Sequence, residues 1–359
     1  MQEKEKEKNT KRKEKKMKRR SWLLCVLAGI LFLLAGCTKH PLWETKKDSL
    51  KIGISIYNRY DTFISELIEC LQQEALELEK KYKITISLDV QDASANQITQ
   101  NEQMEYFLER DCDIVCINLV DRTDASNIIE RGKNANVPII FFNRELVEAD
   151  LRRWDKLYYV GADAMESGIL QGEILIELLK EKFAVVDRNQ DGILQYVMLE
   201  GEAGHQDSIV RSMYCVQTVT KEGYSLEKLA DEIANWNRDQ GKTKMTQWMS
   251  EFGSNIEVVF SNNDDMALGA VDALKESGYF GTTEKAAPVI LGIDGTKEGI
   301  RAVENKELLG TVVNDTKGQA RAILELSYSL CYQKPLEGFQ MVDEKYIRCP
   351  YKIYTKNGE

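Results

Sequence analysis

The chain has 359 residues, enough for two domains of ordinary size that each bury a hydrophobic core. Its 58 Asp and Glu outnumber its 48 Lys and Arg. The first 20 residues hold eleven Lys or Arg against four Glu, so the chain that follows is more acidic than the whole. This charge argues against nucleic acid as a partner, because nucleic acids bind basic surfaces.

The basic start runs into an uncharged apolar segment, Trp22–Gly36, that is shorter than the roughly 20 residues of a membrane-spanning helix. This pattern predicts a secretory signal over residues 1–36, with Met17 as an alternative start. The motif Leu34-Ala35-Gly36-Cys37 resembles the bacterial lipobox, in which the cysteine carries the lipid. We therefore expect lipidation at Cys37, a tether over residues 37–50 and a lipid-anchored, extracytoplasmic location at the cell membrane. A plain signal anchor is the alternative.

Short β-rich segments then alternate with segments of helical periodicity. The first strand is predicted at Lys51–Tyr57, and the first helix at Thr62–Tyr82, where apolar residues recur at helical spacing. The further predicted strands are 84–90, 113–119, 137–142, 157–161, 196–200, 256–260, 289–293 and 310–313. Such alternation is typical of parallel sheets built from βαβ units, so we predict an α/β fold.

Polar side chains follow most of these strands. Ligands of parallel sheets bind beyond the carboxyl ends of the strands, so these residues are candidate ligand groups, although Asn and Asp also favour helix N-caps. They are Asp61, Asn118, Asp121, Asn143, Asn262, Asn263, Asp264, Asp294, Asn314 and Asp315. No glycine-rich phosphate loop follows any predicted strand, which argues against a nucleotide ligand.

The densest polar chemistry lies in Leu199–Arg211, which holds one of the two histidines of the chain. A strand and a short glycine-containing connection bring His205, Asp207 and Arg211 to the start of a predicted helix. Asp207 and Arg211 are four residues apart and share a helical face. The stretch alone fits a ligand site, a surface ion pair beside a loop histidine, or a general base with its orienting carboxylate.

Residues 187–198 follow the pattern of a calcium loop. Side-chain oxygens stand at the first, third, fifth and ninth positions, from Asp187, Asn189, Asp191 and Gln195. Gly192 allows the sharp turn at the sixth position, and the carbonyl of Ile193 stands at the seventh. Met198 replaces the final glutamate, so the last carboxylate has to come from elsewhere in the chain.

Six cysteines remain once Cys25 and Cys37 are assigned to the signal and the lipidation site. They are Cys70, Cys112, Cys116, Cys215, Cys331 and Cys349. They form no Cys-x-x-Cys pair and have no histidine nearby, so a zinc site is not expected. The spacing leaves their redox state open.

The chain resembles the periplasmic galactose/glucose-binding proteins of sugar ABC importers and chemotaxis. The residues that carry the resemblance span Lys51–Tyr351 and include Asp61-Thr62-Phe63, Ile117-Asn118, Phe142-Asn143, Tyr158-Tyr159-Val160-Gly161, Gly201-Glu202-Ala203-Gly204-His205, Asn262-Asn263-Asp264 and Thr311-Val312-Val313-Asn314-Asp315. The resemblance implies a type I fold of two doubly wound parallel-sheet lobes joined by three crossing segments. It places the crossings near Asn143, Asn314 and Asp343, with lobes at 51–142 plus 315–343 and at 143–314 plus 344–359.

The sugar contacts implied by the resemblance are all present in this chain. They are Asp61, Phe63, Asn118, His205, Asp207, Arg211, Trp236, Asn263, Asp294 and Asn314. The resemblance implies that Phe63 and Trp236 stack on opposite faces of the sugar and that Asp61 accepts both glucose and galactose. It also assigns the missing calcium carboxylate to Glu257. The implied structural calcium ligands are then Asp187, Asn189, Asp191, Ile193, Gln195 and Glu257.

The expected function is a monomeric, lipid-anchored solute-binding protein. It would enclose D-galactose or D-glucose between its lobes and deliver the sugar to a membrane ABC permease. A sugar sensor that signals to a membrane receptor or histidine kinase is the alternative. An enzyme is not expected, because no nucleophile, catalytic metal or carboxylate pair stands apart from the groups that sugar hydroxyls need. A sugar-responsive repressor is excluded by the signal where its DNA-binding helices would stand.

Overall fold

The computed structural model describes residues 48–280 and 286–356. The predicted signal segment, Cys37 and the tether up to residue 47 lie outside the described residues. The first strand begins at Ser49, two residues earlier than predicted. No helix among the described residues is long and apolar enough to cross a membrane.

Two sheets of six strands organise the described chain. The first sheet contains β1 (Ser49–Ile56), β2 (Thr85–Asp92), β3 (Ile114–Ile117), β4 (Ile139–Phe142), β5 (Leu157–Gly161) and β11 (Tyr346–Arg348). The second sheet contains β6 (Ile193–Glu200), β7 (Ser225–Ile233), β8 (Val258–Ser261), β9 (Val289–Asp294), β10 (Gly310–Asn314) and β12 (Tyr351–Thr355). Their strand orders are β11-β5-β4-β3-β1-β2 and β12-β10-β9-β8-β6-β7. All pairings are parallel except that of β10 with β12.

Helices cover both faces of each sheet. The first lobe carries α1 (Thr62–Tyr82), α2 (Gln97–Glu109), α3 (Ser126–Ala135), α4 (Glu148–Leu151) and α10 (Thr316–Tyr332). The second lobe carries α5 (Ala164–Val186), α6 (Gln206–Lys221), α7 (Arg238–Glu251), α8 (Asp264–Glu276) and α9 (Lys297–Glu304). A short 3₁₀ turn, Gly253–Asn255, precedes β8.

The inner strands of each sheet, such as β3, β4 and β8, are buried on both faces, and this explains their continuous apolar sequences. Along β3, Ile114 and Cys116 pack into the core beneath α1 and α10, whereas Val115 and Ile117 pack into the core beneath α2 and α3. The second sheet has the same two-sided burial. The predicted α/β fold with two doubly wound lobes is therefore confirmed.

The sheets correct the predicted position of the first crossing. β5 pairs with β4 in the first sheet, so the chain leaves the first lobe at Ala162–Asp163 and not near Asn143. Asn143 instead follows β4 at the edge where ligands bind. A polar strand end resembles an interlobe linker in sequence, because both need hydrogen-bonding side chains.

The third crossing is also displaced from its predicted position. β11 pairs with β5 of the first sheet, and β12 pairs with β10 of the second. The chain therefore crosses at Cys349–Pro350 and not near Asp343. The second crossing lies between the end of β10 at Asn314 and the start of α10 at Thr316.

Asp264 is a buried carboxyl that connects three elements of the second lobe. It accepts hydrogen bonds from the Thr311 hydroxyl at 2.6 Å and from the Thr296 N–H at 2.8 Å. Gly292 and Gly299 leave the space that it occupies, because a Cβ on either would lie within 2.2 Å of a carboxyl oxygen. Asp264 thus holds the starts of α8 and α9 against β10.

Replacing Asp264 tests this connection. We expect Asp264→Ala to lower the free energy of unfolding by about 3 kcal/mol, because it leaves two buried donors without an acceptor. Asp264→Asn keeps an acceptor and should cost less. Urea titration of both variants measures the difference, and equal losses would contradict the assigned role.

The same variants have a pH signature. Burial raises the pKa of Asp264 from 3.8 to about 7, so the folded state retains a proton that the unfolded chain releases. The stabilisation from this proton is complete below pH 4 and is lost as the pH rises to about 7. The stability of wild type relative to Asp264→Asn should therefore fall over that range. A constant difference would contradict the raised pKa.

Candidate functional site

A cavity of about 330 Å³, part of it open to solvent, lies between the carboxyl ends of the two sheets. Both lobes contribute to its walls, and eight of the ten predicted sugar contacts line it. They are Asp61 and Phe63 of the first lobe and His205, Asp207, Arg211, Trp236, Asn263 and Asp294 of the second.

His205 caps the N-terminus of α6. Its Nδ1 accepts a hydrogen bond from the Asp207 N–H at 3.1 Å, which assigns the other ring nitrogen as the proton carrier. Burial and the nearby Arg144, Arg211 and Arg122 hold the pKa of His205 well below its ordinary value. His205 is therefore a neutral hydrogen-bonding group and not the cationic half of an ion pair with Asp207.

Arg211 is the buried cation of the cavity. It donates to the Asn262 carbonyl at 2.8 Å and to the Tyr351 hydroxyl at 3.1 Å. Burial acts to lower its pKa, but Tyr351, Asp294 and Asp207 raise the pKa on balance. The guanidinium Nε is buried without a hydrogen-bond partner. A donor left in this state is suited to an acceptor on a ligand.

The carboxylates of Asp207 and Asp294 face this cation at 3.6 and 3.7 Å, beyond hydrogen-bond range. Burial raises the pKa of both groups, and Arg211 opposes the shift. Asp294 also has a φ of 117°, a strained conformation for a residue with a side chain. Hydrogen-bond acceptors that are buried or held by a strained backbone are typical of a binding site in which a ligand supplies the donors.

Phe63 and Trp236 supply aromatic surface from opposite lobes. The Trp236 ring lies 5.2 Å from His205 in an edge-on arrangement, between ring centroids. Gly201 is required for this packing, because a Cβ there would lie 2.1 Å from the indole. Asn263 donates to the Trp236 carbonyl at 3.2 Å and so fixes the loop that carries the indole.

Asp61 and Asn263 serve as helix caps and as cavity walls. Asp61 Oδ1 accepts from the Ile64 N–H at 2.9 Å, and Oδ2 accepts from the Tyr57 hydroxyl at 2.6 Å. Asn263 Oδ1 accepts from the Met266 N–H at 3.0 Å at the start of α8. The two alternatives that the sequence left open for these residues, cap or ligand group, are therefore compatible.

Asn118 and Asn314 do not line the cavity. Asn118 accepts from the Tyr57 N–H at 3.2 Å and donates to the Asn143 side chain at 3.0 Å. Asn314 accepts from the Gln319 amide at 2.5 Å. Both amides support the strand ends around the cavity, and direct contact of either with a sugar stays a prediction.

Two further residues, Asn143 and Arg144, line the cavity. The strand pattern of the sequence predicts Asn143 as a strand-end ligand group, but it does not predict Arg144. The Arg144 guanidinium lies 3.5 Å from the centre of the Tyr57 ring. A charged residue placed two positions after a buried strand was the available signal.

The predicted calcium loop brings its residues together with Glu257. The Glu257 carboxylate accepts from the backbone N–H groups of Arg188 at 2.6 Å and Gln195 at 3.1 Å. Asp187 Oδ2 accepts from the Gly192 N–H at 3.0 Å, but Oδ1 is buried without a partner. An orphaned carboxylate oxygen fits a site for a hard cation.

The remaining loop side chains also converge. The amides of Asn189 and Gln195 donate to the Asp191 carboxylate at 2.9 and 3.0 Å. In the described ranges, no three His, Cys, Asp or Glu side chains form a metal-binding group by themselves. A cation in this loop would therefore depend on amide and backbone carbonyl oxygens in addition to carboxylates.

No disulfide joins any two of the six cysteines that the structure describes. Cys70 and Cys331 are half-buried, and the other four are buried. Burial raises the pKa of Cys116 and of Cys215, as expected for inert thiols in an apolar core.

Comparison with known proteins agrees with this architecture. Residues 52–335 match the family described as periplasmic binding protein domain. The D-galactose/methyl-galactoside binding periplasmic protein MglB of Haemophilus influenzae is 35% identical over 304 residues, which cover 84% of this chain and 88% of that protein.

Solved structures show the same fold. An ABC transporter solute binding protein from Bacillus halodurans with bound myo-inositol is 27% identical, with a TM-score of 0.70 over 87% of this chain and 96% of that one. A periplasmic solute binding protein from Actinobacillus succinogenes with bound D-allose has a TM-score of 0.71 at 18% identity, over 86% and 98% of the two chains. The second likeness supports the fold alone.

These matches confirm the family resemblance read from the sequence, and with it the prediction of a binding protein in place of an enzyme. The chain belongs to the periplasmic binding protein family, the extracytoplasmic sugar-binding components of ABC importers.

Proposed function

We propose that the protein captures D-galactose or D-glucose and delivers it to an ABC permease. The observation that carries this proposal is the convergence of eight predicted sugar contacts, from both lobes, on one cavity. The named ligand of the Haemophilus influenzae relative, at 35% identity, supports the galactose class.

The cavity has the groups that a hexose needs. Each sugar hydroxyl can donate one hydrogen bond and accept two. The carboxylates of Asp61, Asp207 and Asp294 accept, and the Arg211 Nε donates, so the bonds would be charge-assisted. Phe63 and Trp236 offer apolar faces to the C–H groups of the sugar ring.

Binding would be linked to closure of the lobes, because the sugar touches both. The lobes already meet directly, since the Thr62 hydroxyl of α1 donates to Asp265 of α8 at 2.6 Å. A ligand that adds contacts to both lobes stabilises this closed arrangement over an open one.

We propose a structural calcium ion in the loop of Asp187–Gln195, with Glu257 as the final carboxylate. The loop leads directly into β6, which delivers the Gly201–His205 stretch to the cavity. When bound, the ion would fix the loop by coordination to oxygen ligands. We further propose that a lipid on Cys37 holds the protein at the outer face of the membrane.

Trp236 tests the proposed site. We expect Trp236→Ala to weaken D-galactose and D-glucose binding by about 30-fold or more, because it removes a large apolar surface from a desolvated cleft. Tyr60→Ala is the matched aromatic control, since Tyr60 is 88% exposed beside Asp61 and does not line the cavity. Calorimetric titration with glucose, galactose, ribose and xylose measures the affinities. A flat wild-type response to both hexoses would reject the proposed function.

Removal of calcium should lower the melting temperature by about 5 to 10 °C relative to the protein at saturating calcium. An ion that binds only the folded state stabilises that state by mass action. Asp187→Asn should remove most of this dependence. Asp231→Asn, which changes an exposed carboxylate of the same lobe, should retain it. Thermal melting with and without a chelator gives the comparison. A melting temperature that ignores calcium in wild type would refute the assignment of this loop.

A further inference from the structure

Arg144 and Glu202 form an ion pair between the two lobes. Arg144 follows β4 of the first lobe, and Glu202 follows β6 of the second. The Arg144 Nη2 donates to Glu202 Oε2 at 2.6 Å, a charge-assisted contact of short length. Since its partners belong to different lobes, the pair exists only while the cleft is closed.

The first lobe holds Arg144 in place for this contact. Its Nη1 donates to the Val120 carbonyl at 3.0 Å, and its guanidinium stacks on the Tyr57 ring. Its side chain is 4% exposed, whereas that of Glu202 is 44% exposed. Glu202 therefore closes onto a cation that is already fixed, and little side-chain entropy is lost on the arginine side.

The Arg144–Glu202 ion pair lies where two cavities of the cleft meet. A second cavity, about 900 Å³ with the part open to solvent included, is lined by residues of both lobes and shares Arg144 and His205 with the sugar cavity. Glu202 lines this second cavity and does not line the sugar cavity. The ion pair therefore stands at the boundary between the bound sugar and a larger space between the lobes.

An ion pair between the lobes also joins α1 and α9, but its geometry differs. Lys297 Nζ lies 3.1 Å from Glu69, and the two side chains are 72% and 60% exposed. Pairs with this exposure contribute little, because water screens them and both long side chains lose rotamer freedom. It provides a matched control for an ion pair that joins the lobes without enclosing the sugar.

We propose that Arg144 and Glu202 form a gate that limits the rate at which the bound sugar leaves. This inference rests on the proposed function. Opening the cleft at this boundary requires separation of a buried guanidinium from its carboxylate, so the pair opposes release. Because the contact forms only after the sugar has entered and the lobes have closed, it does not affect the encounter.

Arg144 has a second connection to the sugar site. The Tyr57 ring beneath its guanidinium directs a hydroxyl to Asp61 Oδ2 at 2.6 Å. Arg144 is thus a positioning residue for a predicted sugar contact, whereas the Glu202 side chain is joined to the sugar site by its contact with Arg144. The Glu202 carbonyl also accepts from the His205 N–H at 3.1 Å, a backbone contact that a side-chain substitution retains. Substitution of Glu202 therefore isolates the gate from the remainder of the binding chemistry.

Stopped-flow fluorescence of the purified protein with D-galactose and with D-glucose tests the gate. Glu202→Gln should release sugar about tenfold faster than wild type, because it removes one charge-assisted contact to a buried cation. Its association rate should stay within about twofold of the wild-type rate. Glu69→Gln should leave both rates unchanged. Release at the wild-type rate from a folded Glu202→Gln variant would overturn the gate.

A double-mutant cycle assigns the effect to the pair. In an Arg144→Met background, Glu202→Gln should cause no further increase in the release rate, and an undiminished increase would overturn the gate. If Arg144→Met does not fold, the ionic-strength dependence of the release rate replaces the double-mutant cycle as the test.

Release from wild type should accelerate with ionic strength, and release from Glu202→Gln should not. Equal salt dependence of the two release rates would overturn the gate.

The gate and the proposed function fail in different ways. A wild-type protein that binds neither hexose would reject the proposed function. A wild-type protein that binds hexose, with variants that release it at the wild-type rate, would reject the gate alone.

Discussion

The buried charge of Arg211 constrains the whole cleft. A guanidinium removed from water is tolerated only where hydrogen bonds and opposite charge replace its hydration. Here the replacement comes from separate parts of the chain, namely Asp207 on its own helix, the Asn262 carbonyl after β8, Asp294 at the end of β9 and Tyr351 on β12. The carboxyl ends of β8 and β9 and the amino end of the antiparallel β12 must meet around one cation. The sheet topology therefore provides the partners that the buried charge needs.

Several side chains of the site have two functions. His205, Asp61 and Asn263 each satisfy backbone N–H groups at the start of a helix and each line the cavity. A helix that begins directly after a parallel strand places its cap at the ligand-binding edge. Loss of such a side chain would therefore affect stability and binding together, which separates these residues from Trp236.

Local patterns in the sequence were sufficient for the fold class, whereas the set of sugar contacts was implied by the resemblance to a known family. Apolar runs located nine of the twelve strands in the described chain and missed β7, β11 and β12. The calcium-loop spacing pointed to a missing carboxylate that Glu257 can supply. Properties that depend on pairing between distant segments could not be obtained in this way. The membership of β5 and β11 in the first sheet moved two crossings, and the contact of Arg144 with Glu202 joins residues 58 positions apart.

The order of elements along the chain has a consequence for biogenesis. The first lobe lacks α10 and β11 until residues beyond 316 have been made, and β12 brings Tyr351 to Arg211 later still. Neither lobe can complete its sheet, and Arg211 cannot gain its last partner, while most of the chain is still being translated. The native state of both lobes therefore becomes accessible only after β11 and β12 have been made. Sugar in the surroundings could then stabilise the protein only after the final strand has emerged.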